Sequence, residues 1–341
     1  MKLEISAGDP LLFDFELPLR ATYHFLGFPI EIATNSPQVL AGAEESWGMF
    51  QKAFSEPPLQ IRIGVLPGTT KECPPRPTCR GQRNLITQIA DSENYMLLDA
   101  RQGFAFGWLT QAAVEDRAYF RYHFLEGTAW ILLVSSYLTP VHGACVELDG
   151  HGVLLCGDSG AGKSSLAYAC AQNGWKFLSD DSSCLVRKRP GRIVVGNPYQ
   201  MRFRESAVDL FPELIHQRVT PRATGEMAIE LATATSREIS LISECSVEYV
   251  VFLNRFDDLP AGLSLFSRAR ALQWFGQVVC YGEKHVRDAH YATLRNLLAA
   301  ELLEMRYTQI DSALRLLEML VRKGSAAAKE ALIIAGEREN G

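Results

Sequence analysis

The stretch Gly157-Asp158-Ser159-Gly160-Ala161-Gly162-Lys163-Ser164 satisfies the pattern G-x-x-x-x-G-K-[ST] in full. Each part has a physical task. Glycines let the backbone wrap an anion without Cβ clashes, so that several N–H groups point inward. A helix starting at Lys163 adds the positive end of its dipole. Lys163 supplies a mobile charge for the β- and γ-phosphates, and the Ser164 hydroxyl is a ligand for Mg²⁺. ATP or another nucleoside triphosphate with Mg²⁺ is therefore expected along Gly157–Ser165. From background residue frequencies the bare pattern arises by chance in roughly one chain in a hundred of this length. Sixteen residues after Ser164 stand Asp180-Asp181, inside an apolar strand pattern. Two adjacent carboxylates there are costly unless paired, hydrogen-bonded or metal-bound. Because successive strand residues face opposite sides, one is expected to face the triphosphate and its metal, unless a bulge turns both. His142-Gly143 lies upstream, and a lone histidine by spacing alone is more often structural than functional.

The elements around these residues read clearly. Gly143–Leu148 and Gly152–Cys156 are strands joined by Asp149-Gly150, a two-residue hairpin turn. Ser164–Gln172 is a helix ended by Asn173-Gly174. Lys176–Val186 reads as one strand, and Pro190-Gly191 turns into Arg192–Val195. Residues 247–253 form a buried strand that ends in Asn254-Arg255, not in the carboxylate an independent ATPase or GTPase motor would want. Leu294, Leu297, Leu298 and Leu302 have helical spacing. Asp311 caps a last helix carrying Leu314, Leu317, Leu320 and Val321 and ending near Gly324, with an alanine-rich tail beyond that reads as helical or frayed. In the first part of the chain, Gln38–Phe54 has near-helical spacing and Gln60–Val65 alternates as a half-buried strand. Pro67–Arg83 reads as a loop, Tyr95 to about Ala118 as short strands, and Tyr119–Phe124 as either element. This divides the chain into an α/β domain over 1–138, a nucleotide-binding domain over 139–325 and a tail over 326–341.

Composition bounds the partners. The 341 residues carry a net charge of −5, with 47% apolar and 21% charged side chains, and the pI is about 5.9. That is an ordinary globular mixture and not the basic domain of a general nucleic-acid binder. Arg187-Lys188-Arg189 reads as a solvated hairpin tip. No stretch reaches the ~20 apolar residues of a membrane span, and the N-terminus does not read as a signal peptide. Cys145, Cys156, Cys170 and Cys184 read as small buried residues, and a reducing cytoplasm is expected. Homo-oligomerisation stays open.

Taken in order, Val141-His142-Gly143, the run Gly152-Val153-Leu154-Leu155-Cys156 into the Gly157–Ser164 loop, Gly174 and Asp180-Asp181 resemble the catalytic domain of bacterial HPr kinase/phosphorylase, a protein-serine kinase. The strong resemblance covers 141 to about 186, with weaker similarity to about 322 that includes Glu304-Met305-Arg306-Tyr307. It implies an α/β domain with an HPr-kinase/PEP-carboxykinase-like P-loop fold, beside a separate N-terminal α/β domain. It also implies roles: Lys163 on phosphate, Ser164 on Mg²⁺, Asp180 as general base on a serine hydroxyl, Asp181 supporting metal or structure, and His142 tuning or holding Asp180. Two departures stand out. Ser165 replaces the family's glutamate after the P-loop serine. The family's glycine-rich signature is absent from Met201–Glu230, which offers Arg202-Phe203-Arg204 instead, residues that can add phosphate contacts.

The expected activity is thus an ATP- and Mg²⁺-dependent kinase acting on a hydroxyl, a serine of a protein or peptide other than HPr. The alternatives are a small-molecule kinase and a non-catalytic ATP-binding regulator, the second favoured by Ser165.

Overall fold

A computed structural model describes residues 16–221, 227–236, 238–255, 261–278 and 282–339. No helix among them is long and apolar enough to cross a membrane. The chain divides into two compact units, Met1–Ser136 and Tyr137–Gly341.

The first unit holds β1 (Leu19–Phe25), β2 (Phe28–Thr34), α1 (Pro37–Trp47), β3 (Leu59–Leu66), β4 (Thr78–Gln82), β5 (Leu85–Ile89), β6 (Tyr95–Asp99), β7 (Phe104–Thr110), the short α2 (Gln111–Glu115) and α3 (Arg117–Tyr119), and α4 (Gly127–Ser136). Its seven strands form one sheet in the order β1-β2-β3-β7-β6-β5-β4. Two local expectations are corrected here, and one left open is decided. The helix expected over Gln38–Phe54 ends at Gly48. Phe54 belongs instead to a loop, where its ring stacks on Phe28 at 4.1 Å and its N–H donates to Gly27 O at 3.1 Å. Part of the expected Pro67–Arg83 loop is the edge strand β4, exposed at every position, so it lacks the apolar alternation that would betray a strand. Phe120–Glu126 is a π-helical turn that buries Phe120, Phe124 and Leu125.

The second unit comprises β8 (Leu138–Leu148), β9 (His151–Cys156), α5 (Lys163–Gln172), β10 (Lys176–Ser179), β11 (Ser182–Val186), β12 (Ile193–Val195), β13 (Met201–Phe203), β14 (Arg218–Pro221), β15 (Met227–Leu231), β16 (Ser240–Leu241), β17 (Glu244–Arg255), β18 (Gly262–Leu265), α6 (Arg268–Gly276), α7 (Lys284–Leu297), β19 (Glu301–Tyr307) and α8 (Ile310–Glu339). Strand β17 runs parallel to β9 on one side and to β19 on the other. β8 lies antiparallel to β9. From β8 the ladder also passes through β11 and β12 back to β17, so these five strands close a circuit. β13, β15 and β14 form a separate three-stranded sheet.

Alternation sorts the central strands between two cores. Val153 and Leu155 face one, which takes in Ala167 of α5, Phe203 of β13 and Leu317 of α8. Leu154 and Cys156 face the other, with Ala271 and Phe275 of α6 and Leu294 and Leu297 of α7. Burial on both faces is why β9 reads as an unbroken apolar run.

The turn chemistry follows the sequence. Asp149 and Gly150 adopt φ 52° and 87°, which a two-residue hairpin with the natural strand twist requires. α5 ends with Gly174 at φ 83°, and the Trp175 N–H returns to Cys170 O at 3.1 Å, closing a Schellman cap. Elsewhere the pattern misled. Lys176–Val186 is two strands, broken at Asp180-Asp181. Leu302 belongs to β19, and only Leu294 and Leu297 to α7. The last helix, by contrast, does break at Gly324 as expected, at φ 82°, ψ 166°, and a second helical segment carries the tail on to Glu339. Arg187 is not solvated: it is 8% exposed, with Nη1 3.2 Å from His290 Nδ1, while Thr139 Oγ1 lies 3.0 Å from the same nitrogen.

Candidate functional site

Strand β9 delivers Gly157 to the carboxyl ends of the parallel strands, and the chain turns there into α5. Gly157 has φ 148°, and a Cβ on it would sit 3.0 Å from Leu253 O, so glycine is required by the close approach to β17. Asp158, Ser159 and Gly160 are exposed, Ala161 and Gly162 half-buried. The Ala161 N–H donates to Asp158 O at 3.1 Å, tightening the loop. Gly162 caps α5 from the left-handed region, at φ 92°. The first-turn N–H groups of Lys163, Ser164 and Ser165 therefore have no carbonyl within the helix to bond and are aligned with its positive dipole end. Ser164 and Ser165 are half-buried on that turn.

Lys163 is buried and folds back over the loop, donating to Gly157 O at 2.8 Å and Asp158 O at 3.3 Å. Burial lowers its pKa, and the carboxylates of Asp181, Asp158 and Asp180 act against that. The loop lysine and the downstream aspartates thus share one electrostatic site.

Asp180 and Asp181 owe their positions to an irregular ladder. β10 and β11 both run antiparallel along β8, with Ser179 opposite Cys145 and Ser182 opposite His142. The register slips between Phe177 and Ser179, the local kink of a β-bulge. The two aspartates fall in the gap, where the Gly143 N–H donates to Asp181 O at 3.1 Å. Asp180 is half-buried, and its Oδ2 accepts the Arg202 backbone N–H at 2.7 Å. Burial pushes its pKa up to about 6, with the neighbouring Asp181 charge adding to the rise and the Arg202 N–H opposing it. Asp181 is exposed, and its Oδ1 meets His142 Nδ1 at 3.0 Å. His142 therefore holds Asp181, where the sequence reading had paired it with Asp180. The difference follows from the register: β11 begins opposite His142, which sets the residue before Ser182 beside the imidazole.

Two residues join the site from outside the motif. Arg204 Nη2 donates to Ser159 Oγ at 2.9 Å, while the Arg202 side chain turns to Glu230, 3.6 Å away. Tyr307, at the end of β19, donates from Oη to Ala161 O at 2.7 Å. The sequence signal for Tyr307 was slight: a tyrosine closing an apolar strand, whose hydroxyl must find a partner once buried.

The loop, the free N-terminus of α5 and Lys163 make a cradle suited to a polyphosphate. Among the described residues no three His, Cys, Asp or Glu side chains converge to hold a metal by themselves. Mg²⁺ carried in with a nucleotide keeps waters and phosphate oxygens and takes only one or two protein ligands; of the two residues expected to serve, Ser164 is half-buried on the first turn of α5 and Asp181 is exposed.

Residues 135–204 match the family model of the HPr Serine kinase C-terminal domain. The chain is 43% identical over 79 residues to HPr kinase/phosphorylase of Lactobacillus delbrueckii subsp. bulgaricus, covering 21% of this chain and 25% of that protein. It is 44% identical over 55 residues to HPr kinase/phosphorylase of Bordetella pertussis, covering 16% and 18%. The match thus spans a quarter or less of the length of these curated relatives. The structure of the Hpr(Ser) kinase/phosphatase from Coxiella burnetii aligns over 54% of this chain and 93% of its own, at 13% identity and a TM-score of 0.29. The sequence matches support an HPr-kinase-like family for the segment from β8 to Arg204, the stretch in which His142, the loop and the aspartate pair were read.

Proposed function

We propose that the second unit is an ATP- and Mg²⁺-dependent kinase that phosphorylates a hydroxyl, a serine of a protein or peptide other than HPr. The observation that carries this is the loop cradle, with Lys163 folded over the Gly157 and Asp158 carbonyls at the N-terminus of α5 and its charge acted on by the Asp180-Asp181 pair, Asp180 having a pKa of about 6. A carboxyl so tuned is ionised at neutral pH, yet basic enough to take a proton from an attacking hydroxyl.

In this reading the loop N–H groups and Lys163 hold the β- and γ-phosphates. Mg²⁺, ligated by Ser164 with support from Asp181, supplies charge neutralisation when bound. The acceptor oxygen forms its bond to the γ-phosphorus as the bond to the β–γ bridging oxygen breaks. ADP leaves with that electron pair, and the hydroxyl proton passes to Asp180. His142 fixes Asp181, and so acts on Asp180 only through its neighbour. The catalytic region is assigned to 139–325, with 1–138 and the tail 326–341 outside it, and the protein to the cytoplasm.

The test is transfer from γ-labelled ATP into the proteins, peptides and metabolites of a cell extract. Protein label that disappears in both Lys163→Ala and Asp180→Asn is expected. Label confined to small molecules would redirect the acceptor. ATP binding with transfer to nothing would favour a regulator, the reading that Ser165 supports.

A further inference from the structure

The loop is held at its base from a part of the chain well beyond the matched segment. Tyr307 lies 146 residues from Ala161, yet its hydroxyl bonds the Ala161 carbonyl at 2.7 Å. Its side chain is 1% exposed and packs in the core with Leu253, Met305 and Ala313. Burial pushes its pKa up to about 12, so Oη stays a donor at working pH. The same hydroxyl occupies the space a side chain at 162 would need, since a Cβ on Gly162 would lie 2.2 Å from Oη. Ala161 and Gly162 are the last two residues before α5. The contact therefore fixes where the helix begins and which way its first N–H groups point.

We infer that Tyr307 is a positioning residue for nucleotide binding, a strut that holds the loop in its phosphate-ready form. The inference rests on the reading of Gly157–Ser164 as an ATP site. Without the hydroxyl the loop samples other conformations, and apparent affinity falls by the fraction of molecules still competent. Loss of one buried hydrogen bond predicts a change of about threefold to tenfold.

The experiment is calorimetric titration of the full chain with ATP and Mg²⁺, alongside thermal melting. Tyr307→Phe keeps the ring and removes only Oη. Gly162→Ala clashes with that hydroxyl but is also strained by its φ of 92°, so it is read against the double variant Gly162→Ala/Tyr307→Phe, in which the strain stays and the clash with the hydroxyl is gone. Both single variants are expected to weaken ATP binding about threefold to tenfold in folded protein, and to speed amide exchange in the loop. Equal affinity in both variants and in the parent would overturn the inference and leave the ATP site standing. So would a lowered melting temperature with unchanged affinity, which would make Tyr307 a packing residue only. A parent chain that binds no ATP, like Lys163→Ala, would overturn the site and the strut together.

Discussion

The protonation of Asp180 is open to direct measurement, and its value tests the carboxylate geometry. Asp180 is pushed up to about 6 from an ordinary 3.8, by burial first and then by Asp181, against the Arg202 N–H. A rise of about two units is roughly 3 kcal/mol against the ionised form. If Asp180 is the base, phosphoryl transfer needs it ionised. At pH 5 the rate should be about a tenth of its plateau, where an unperturbed aspartate would leave about nine-tenths. The sign for stability runs the other way. The folded protein binds this proton more tightly than the unfolded chain, so this group's contribution is greatest below pH 4 and is lost as pH rises through about 6. Asp180→Asn should therefore abolish transfer and yet raise stability at pH 7, by about 1–3 kcal/mol. The assay is a carboxylate ¹³C titration, the Asp180 resonance identified by its disappearance in Asp180→Asn, with the transfer rate followed over the same pH range. Asp181→Asn should lower the midpoint, by removing a like charge. A midpoint near 4 in the parent, or a rate flat down to pH 5, would refute the reasoning.

Other substitutions separate the remaining contributions. Lys163→Ala should reduce ATP affinity at least tenfold, by loss of a charge-assisted contact worth roughly 1.5–3 kcal/mol, as read by calorimetry. Gly174→Ala should cost about 1 kcal/mol in denaturant unfolding, because Gly174 has φ +83° while a Cβ there meets nothing within 4 Å, so the cost is conformational alone. Arg187→Ala should destabilise by about 2–4 kcal/mol through lost packing and hydrogen bonding. It should also raise the His290 pKa from about 4, where burial and then the Arg187 charge hold it, as seen by imidazole NMR.

What could be read from the residues was governed by periodicity and by residues with special backbone demands. Asp149-Gly150 and Gly174 declare their turns because few other residues tolerate positive φ. The loop was legible for the same reason. Where a strand is broken by a bulge, side-chain alternation loses its phase, and so Lys176–Val186 reads as continuous; the resemblance set His142 beside Asp180, whereas the broken register brings Asp181 to it. Leu302 continued the α7 spacing by coincidence; the chain had already left the helix to join β17 in a parallel pair, a long-range choice that no local window contains. Arg187 looked solvated among its charged neighbours because burial depends on α7, which brings His290 from 103 residues away. Tyr307 and Arg204 reach the loop in the same way, through tertiary placement.

The strand circuit has a consequence for how the molecule comes into being. Cys145 on β8 and Cys245 on β17 lie 100 residues apart in the chain with their sulfurs at 3.4 Å, a measure of how non-local the ladder is. Topologies of such high contact order fold slowly. A chain emerging from the ribosome displays all of Gly157–Ser164 when, of the second unit's strands, only β8 and β9 exist. It must still produce β11, β12 and β17 before the circuit can close, and β19 before Tyr307 can reach the loop. Throughout that interval the edges of β8 and β9 are open to wrong pairing. On the proposed function, nucleotide would stabilise the finished unit by mass action but would not guide the early steps, because the proposed site is among the last things made.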